Sequence, residues 1–276
     1  LRIGRVVGRA STNRTAVDVV TWLTIITVVR NDSAGLKRTA DSLTAALQTG
    51  IEWVVVDGSD DPATVSSSVG DQGLVTWAEP RGIYPAMNEG LRHASGDFVL
   101  FLNAGDALAS ASVLTDVEKE LRDADAQWGY GAIEILETNG DRVVTPRWDY
   151  PRESEALFAR GFFAPHQATF VRRADLVQLG GFDENYRIAA DYKAFLQLTR
   201  VSEPRQLDRV IAEFPIGGAS SERWFHAQRE FHRARREVFQ PRGRSAWIER
   251  WWTVLGFGKA ATYRAVVAPA RRLARR

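Results

Sequence analysis

A polar turn that directly follows a buried strand is the part of this sequence best suited to chemistry. Residues 98–102 form a continuous apolar run, which is typical of a strand buried on both faces of a parallel sheet. Asn103-Ala104-Gly105-Asp106 follows, and ligands of open α/β sheets bind just outside the carboxyl ends of strands. A carboxylate beside a glycine can hold a hard cation such as Mg²⁺ or Mn²⁺ there. The alternative is that Asp106 caps the next helix, a role that Ser110 or Ser112 could also fill.

The elements that must position this turn alternate between strand and helix. Buried strands are predicted at 22–29, 51–56, 74–77 and 98–102, with helices at 36–47 and 85–94. This order predicts an α/β fold with a mostly parallel sheet, flanking helices and right-handed crossovers. The polar turns after the first, second and fourth strands then outline one crevice. Further along, we expect a helix at 111–121, a hairpin of strands 128–136 and 142–148, a helix from Asp191 and a last strand at 210–214.

Several classes of protein lack support in the sequence. No G-x-G-x-x-G follows the first strand and no G-x-x-x-x-G-K-[ST] occurs, which argues against a dinucleotide oxidoreductase and a P-loop enzyme. The chain has no cysteine, so disulfides, zinc-thiolate sites and thiol nucleophiles are excluded. No apolar run reaches the roughly 18 residues that a spanning helix needs.

Charge divides the chain into an acidic body and a basic tail. Residues 222–276 carry a net charge of about +10 and residues 1–221 about −8, which together give the net +2 of the chain. We therefore expect a loose N-terminal arm at 1–18, an α/β domain at 19–221 and a basic, Trp-rich helical extension at 222–276.

An ordered set of short motifs connects these elements to a known family. They are Thr-Val-Val-Arg-Asn at 27–31, Asp-Gly-Ser at 57–59, Gly-Ile-Tyr at 82–84 with Met87-Asn88, Asn-Ala-Gly-Asp at 103–106, His-Gln at 166–167, Gly-Gly-Phe-Asp at 180–183, Ala-Asp-Tyr at 190–192 and Gly-Gly-Ala-Ser at 217–220. The set resembles the family 2 glycosyltransferases, which have the Rossmann-like GT-A fold and transfer a sugar from a nucleotide sugar with inversion. Within that family it is most similar to bacterial members that build cell-surface polysaccharides and glycolipids.

The resemblance implies a site for the nucleotide. The residues it places around the base, ribose and diphosphate are Thr27, Val29, Asn31, Asp57, Gly58, Arg81, Gly82, Met87, Asn88, Asn103, Ala104 and Gly105. Asp57 would accept a hydrogen bond from a pyrimidine N3–H, and Arg81 with the nearby helix N-terminus would meet the diphosphate. The alternatives are that Asp57 is a solvated turn carboxylate and that Arg81 is an ordinary surface residue.

The resemblance also implies the metal site and the catalytic base. Asp106 would hold Mn²⁺ or Mg²⁺ beside the diphosphate, although Asn103 stands where the family usually has a first acid. Asp191 would take the proton of the acceptor hydroxyl. The family often has Glu-Asp at these two positions, and Ala190 replaces the Glu here. An N-cap is the alternative role for Asp191.

Four further residues are expected at the acceptor or the diphosphate: His166, Gln167, Gly218 and Ser220. The alternatives are a structural hydrogen bond for His166 and a plain glycine-rich turn around Gly218.

The expected partners follow from these assignments. The donor is a nucleoside-diphosphate sugar, with UDP as the default and dTDP or GDP as alternatives, and the acceptor is a glycan or a lipid-linked molecule. Aromatic and basic residues in 245–276 favour an anionic membrane surface, and hence a cytoplasmic, peripheral location on the inner face of the cell membrane. The alternatives are that this tail packs on its own domain or on a second subunit of a homo-oligomer. Nucleic acid is not expected, because no recognisable module is present.

Two functions of other kinds compete with transfer. A nucleotidyltransferase would need a Gly-rich, basic loop directly after the first strand, and residues 27–33 lack one. A non-catalytic homologue could bind a nucleotide sugar, a membrane or a partner. Such a homologue would not need Asp106 and Asp191, and both residues are present.

Overall fold

The computed structural model of this chain describes residues 21–48, 50–61, 65, 68–137, 139–145, 164–215, 224–241, 243, 247, 250, 251 and 254. Within these residues, nine strands form a single sheet. The expected N-terminal arm at 1–18 lies outside the described residues.

The strands are β1 (Leu23–Val29), β2 (Ile51–Asp57), β3 (Leu74–Trp77), β4 (Phe98–Phe101), β5 (Ala107–Leu108), β6 (Trp128–Leu136), β7 (Arg142–Val144), β8 (Thr169–Arg172) and β9 (Arg205–Pro215). Their order across the sheet is β3-β2-β1-β4-β8-β6-β9-β5, and β7 pairs with β6. The helices are α1 (Ser33–Leu43), α2 (Ile83–His93), α3 (Val113–Asp123), α4 (Arg173–Gln178), α5 (Ala190–Thr199) and α6 (Trp224–Phe239).

The first four strands of the order form the parallel half of the sheet. β1 runs parallel to β2 and β4, and β2 runs parallel to β3. Every residue of β4 is buried, as its continuous apolar sequence predicts. Val29 and Asp57 are register partners at the carboxyl ends of β1 and β2. The polar turns that follow these two strands therefore begin side by side.

The second half of the sheet is mixed. β8 runs antiparallel to both β4 and β6. The predicted hairpin is confirmed where it is described, because β6 and β7 pair antiparallel around the turn at 139–141. β9 begins at Arg205, earlier than predicted, because it pairs in parallel with β6 from Gly129 onward.

Helices cover both faces of the sheet and bury two apolar clusters. One cluster takes residues from α1 and α3, and the other takes residues from α2, α5 and α6. Gly90 lets α2 lie close to β1, because a Cβ at this position would come within 2.3 Å of Ile26 Cγ2. This packing fixes α2 against β1 and β2.

Part of the predicted basic extension lies beyond α6. Trp247, Arg250, Trp251 and Val254 have helical backbone. The side chains of Trp247 and Trp251 are 75% and 64% exposed and that of Val254 is 62% exposed. Among the described residues, the helices are all too short or too polar to cross a membrane.

Candidate active site

The turns after β1 and β2 are tied together by hydrogen bonds. Asn31 adopts a positive φ of 52°, and its backbone N–H donates to Ser59 Oγ over 2.8 Å. Its side-chain amide donates to Asp60 Oδ2 and accepts from the Asp60 N–H. Gly58 N–H donates to the Val29 carbonyl over 2.9 Å. The two turns thus form one rigid rim beside the end of β2.

Asp57 ends β2 with an unusual carboxylate. The residue is completely buried, and its Oδ1 accepts from the Ser59 N–H over 2.8 Å. Its Oδ2 is buried without a hydrogen-bond partner among the described residues. An unpaired buried acceptor is costly, so Asp57 is better suited to a ligand N–H than to the solvated turn considered as an alternative.

Like Asn31, other residues predicted around the nucleotide have side chains committed to the protein. The Thr27 hydroxyl donates to the Leu102 carbonyl and accepts from the Trp53 indole N–H. Met87 lies in the apolar cluster beneath α2. Asn88 uses its amide on the turn before α5, accepting from the Phe182 N–H and donating to the Phe182 carbonyl, both over 2.8 Å. Nucleotide contacts by these side chains stay predictions.

The turn after β4 is closed by its own carboxylate. Asp106 Oδ2 accepts from the Asn103 N–H over 3.1 Å, and the Asp106 N–H donates to the Asn103 carbonyl over 3.0 Å. Gly105 has a φ of 97°, which favours glycine. The next helix, α3, has Ser112 at its N-cap, so Asp106 is not a helix cap.

Asp106 is buried, and its charge lacks full compensation. Only 4% of the residue is exposed. Burial raises the pKa of Asp106 to about 6, against the opposing effects of the charge of His166, the hydrogen bond from Asn103, the charge of Arg38 and a hydrogen bond from the Gln167 side chain. A carboxylate in this condition gains from a nearby cation.

The oxygen atoms at this turn fit a hard divalent cation. Asn103 Oδ1 is buried without a hydrogen-bond partner among the described residues, and the Asp106 carboxylate lies in the same turn. Mg²⁺ and Mn²⁺ prefer such oxygen ligands. Clusters of three or more His, Cys, Asp or Glu side chains with metal-binding geometry do not occur in the described ranges.

Asp191 lies in the first turn of α5 and receives hydrogen bonds on both oxygens. Oδ1 lies 2.9 Å from the Tyr84 hydroxyl oxygen and accepts from the Tyr192 N–H over 2.9 Å. Oδ2 lies 3.0 Å from His166 Nδ1. The N-cap of α5 is Ala189, which rules out the alternative that Asp191 is the N-cap. Tyr84 was not predicted as a site residue, although it belongs to the Gly-Ile-Tyr motif at 82–84 and lies in the first turn of α2.

His166 joins the two ends of the candidate site. Its Nδ1 faces Asp191, and its Nε2 lies 3.1 Å from Asn103 Nδ2. We assign the proton to Nδ1, so that the ring donates to Asp191 and accepts from Asn103. Burial works to lower the pKa of His166, but the hydrogen bond and charge of Asp191 and the charge of Asp106 outweigh burial and raise it. His166 thus links the turn after β4 to the start of α5.

The remaining predicted residues lie around this centre or outside the described chain. Arg81 is exposed just before α2, and Gly82 at the N-cap of α2 has a φ of 139°. Ala104 is half-buried. Gly218 and Ser220 lie outside the described residues.

The sequence model of a known family covers more than half of the chain. The family described as Glycosyl transferase family 2 matches residues 24–178. This range runs from β1 to the end of α4.

Curated relatives carry the same assignment in their names. An uncharacterised glycosyltransferase of Mycobacterium tuberculosis is 34% identical over 208 residues, which is 73% of this chain and 78% of the relative. A PGL/p-HBAD biosynthesis glycosyltransferase of the same species is 28% identical over 175 residues, which is 61% of this chain and 66% of the relative.

Solved structures confirm the predicted GT-A fold. S. aureus TarS 1–349 in complex with UDP-GlcNAc superposes with a TM-score of 0.61 at 18% identity, over 77% of this chain and 66% of that chain. A mannosyltransferase from Pyrobaculum calidifontis in complex with GDP-Man and Mn²⁺ gives a TM-score of 0.61 at 17% identity, over 92% of this chain and 80% of that chain. Together with the family match and the M. tuberculosis relative, these likenesses lead to one conclusion: the chain belongs to glycosyltransferase family 2.

Proposed function

We propose that this chain transfers a sugar from a nucleoside-diphosphate sugar to a hydroxyl group of a glycan or glycolipid, with inversion at the anomeric carbon and with assistance from a divalent cation. The observation that carries the proposal is the bridge from Asp191 through His166 to Asn103, with distances of 3.0 and 3.1 Å. This bridge supports the proposal because its hydrogen bonds join the proposed base, Asp191, to the proposed donor-binding turn at 103–106.

The donor nucleotide is bound at the end of β2. The unpaired Oδ2 of Asp57 accepts a hydrogen bond from the imino N–H of the base, which uracil, thymine and guanine all carry and cytosine lacks. UDP is the default nucleotide, with dTDP and GDP as alternatives. The structural neighbours in complex with UDP-GlcNAc and GDP-Man support a nucleoside-diphosphate sugar as the donor class.

The turn at 103–106 receives the diphosphate. Asp106 and Asn103 Oδ1 would hold a divalent cation, and when bound this ion neutralises the charge that develops on the leaving diphosphate. Arg81, exposed beside the N-terminus of α2, supplies further positive charge for the diphosphate.

Asp191 is the general base. The acceptor oxygen attacks the anomeric carbon on the face opposite the nucleoside diphosphate, so that the new glycosidic bond forms as the bond to the diphosphate breaks. The acceptor proton passes to Asp191. The hydrogen bonds with Tyr84 and His166 orient the carboxylate for this transfer.

The C-terminal extension brings the enzyme to an acceptor at an anionic membrane. Trp247 and Trp251 are one helical turn apart and highly exposed, and Arg250 lies between them. Aromatic and basic residues on one helix suit the interface of such a membrane. The competing proposal, a non-catalytic homologue, is less favoured because the carboxylates of Asp106 and Asp191 are both retained.

A donor screen tests the proposed function. The purified chain is incubated with UDP-, dTDP- and GDP-sugars, Mn²⁺ and a lipid extract as acceptor, and product anomers are read by NMR. We expect one donor class to be consumed with inverted configuration at the anomeric carbon. A product with retained configuration would refute inversion, and binding without transfer for every donor would favour the non-catalytic homologue.

A further inference from the structure

Helix α6 holds the segment that leads into α5 through the half-buried carboxylate of Glu230. Glu230 accepts hydrogen bonds from three successive backbone amides. Its Oε1 accepts from the Arg187 N–H over 2.9 Å, and its Oε2 accepts from the Ile188 and Ala189 N–H groups over 2.8 and 2.9 Å. Successive amides that converge on one carboxylate form an anion-binding nest, and such charge-assisted bonds are stronger than neutral ones.

This contact replaces a local helix cap. The N-cap of α5 is Ala189, which offers no side-chain hydrogen bond to the first turn. A negative charge next to a helix N-terminus is also favourable in the field of the helix dipole. The start of α5 is therefore fixed by a residue some forty positions later in the chain.

The held segment is in direct contact with the proposed base. The Ile188 carbonyl lies 2.5 Å from the Tyr84 hydroxyl oxygen, and the same hydroxyl lies 2.9 Å from Asp191 Oδ1. Asp191 follows Ala189 by two residues. A shift of the 187–189 backbone therefore moves both the Asp191 carboxylate and the Ile188 carbonyl, the two groups that lie against the Tyr84 hydroxyl. The position of Asp191 thus depends on Glu230.

We propose that Glu230 is a positioning residue for catalysis, which sets the carboxylate of Asp191 by holding the 187–189 backbone. The inference rests on the proposed function, because it takes Asp191 as the base. It also gives α6, which lies outside the residues matched by the family model, a part in the chemistry.

A second acid on the same helix provides a matched control. Glu237 accepts from Lys193 Nζ over 2.6 Å and from the Tyr186 hydroxyl over 3.0 Å. It also pairs with Arg233 at 2.6 Å. These partners are all side chains, so Glu237 ties α6 to the same region without binding the 187–189 backbone.

The test compares Glu230→Ala with Glu237→Ala in the full chain. Alanine favours helix at both positions. For each variant we would measure kcat, the Kd for the nucleotide donor by calorimetry, and the melting temperature. We expect Glu230→Ala to lower kcat about tenfold to a hundredfold, as for a base displaced by about 1 Å, with an unchanged donor Kd. Glu237→Ala should keep kcat while losing melting temperature.

Glu230→Gln is the second variant if Glu230→Ala fails to fold, and its neutral acceptor oxygen should give an intermediate kcat. Equal losses of kcat in the Glu230 and Glu237 variants would overturn the positioning role, as would a loss of donor affinity that matches the loss of kcat. Absence of transfer by the wild-type chain with every donor would instead refute the proposed function on which the inference rests.

Discussion

The substitution Asp57→Asn should weaken recognition of the nucleobase without destabilising the fold. Asparagine keeps the oxygen that accepts from the Ser59 N–H, but it places an amide donor where the buried, unpaired Oδ2 now lies. A donor in that place faces the imino N–H of uracil, which is also a donor. In contrast, cytosine offers an acceptor nitrogen at the same ring position.

The size of the effect follows from the lost hydrogen bond. A hydrogen bond to a charged group contributes about 1.5–3 kcal/mol, so UDP should bind Asp57→Asn about tenfold to 150-fold more weakly. The melting temperature should not fall, because a neutral amide is less costly to bury than an unpaired carboxylate. We expect CDP to lose less affinity than UDP, or to gain affinity.

Isothermal titration calorimetry with UDP, dTDP, GDP and CDP measures these affinities. Asp60→Asn is the control, because it removes a charge from an exposed residue of the same turn and should leave the order of affinities unchanged. The reasoning is refuted if wild-type protein binds CDP as tightly as the best nucleotide, or if Asp57→Asn weakens UDP and CDP equally.

Two further predictions concern acid stability and the membrane. Although burial opposes the shift, the hydrogen bond with Lys193 and the hydrogen bonds from Asn185 lower the pKa of Asp183 from 3.8 to about 2. The stability that Asp183 contributes is therefore present above about pH 4 and is lost as pH falls towards 2, and melting curves should show a weaker dependence over this range in Asp183→Asn. Replacing Trp247 and Trp251 by Ser should release the chain from anionic vesicles in a sedimentation assay while donor binding persists, and undiminished sedimentation would contradict the membrane proposal.

The local sequence was sufficient to predict much of the parallel half of the sheet. Strands β1, β2 and β4 are buried apolar runs that helices cover, so composition alone located them. The turn residues at 139–141 predicted the β6–β7 hairpin. The antiparallel direction of β8 could not be read in the same way, because a buried strand has the same composition in either direction.

Candidate site residues could be proposed from the sequence where they end or follow a strand, and less readily where distant side chains meet. Asp57 and Asp106 stood out because each ends or follows a buried strand. The contact of Tyr84 with Asp191 joins residues 107 positions apart, and it depends on how α2 and α5 pack. From the sequence, Glu230 was only one residue of a predicted basic helix. The neighbouring residues do not indicate that its carboxylate binds the backbone amides of 187–189.

The central claim is that Asp191 takes the proton of the acceptor, and the most direct test is the turnover of Asp191→Asn beside its affinity for the donor. Asparagine is nearly the same size as aspartate but cannot accept the proton. We predict that the variant binds the nucleotide donor as tightly as wild-type protein and transfers no sugar in a single-turnover assay. Transfer at the wild-type rate by Asp191→Asn would contradict the account.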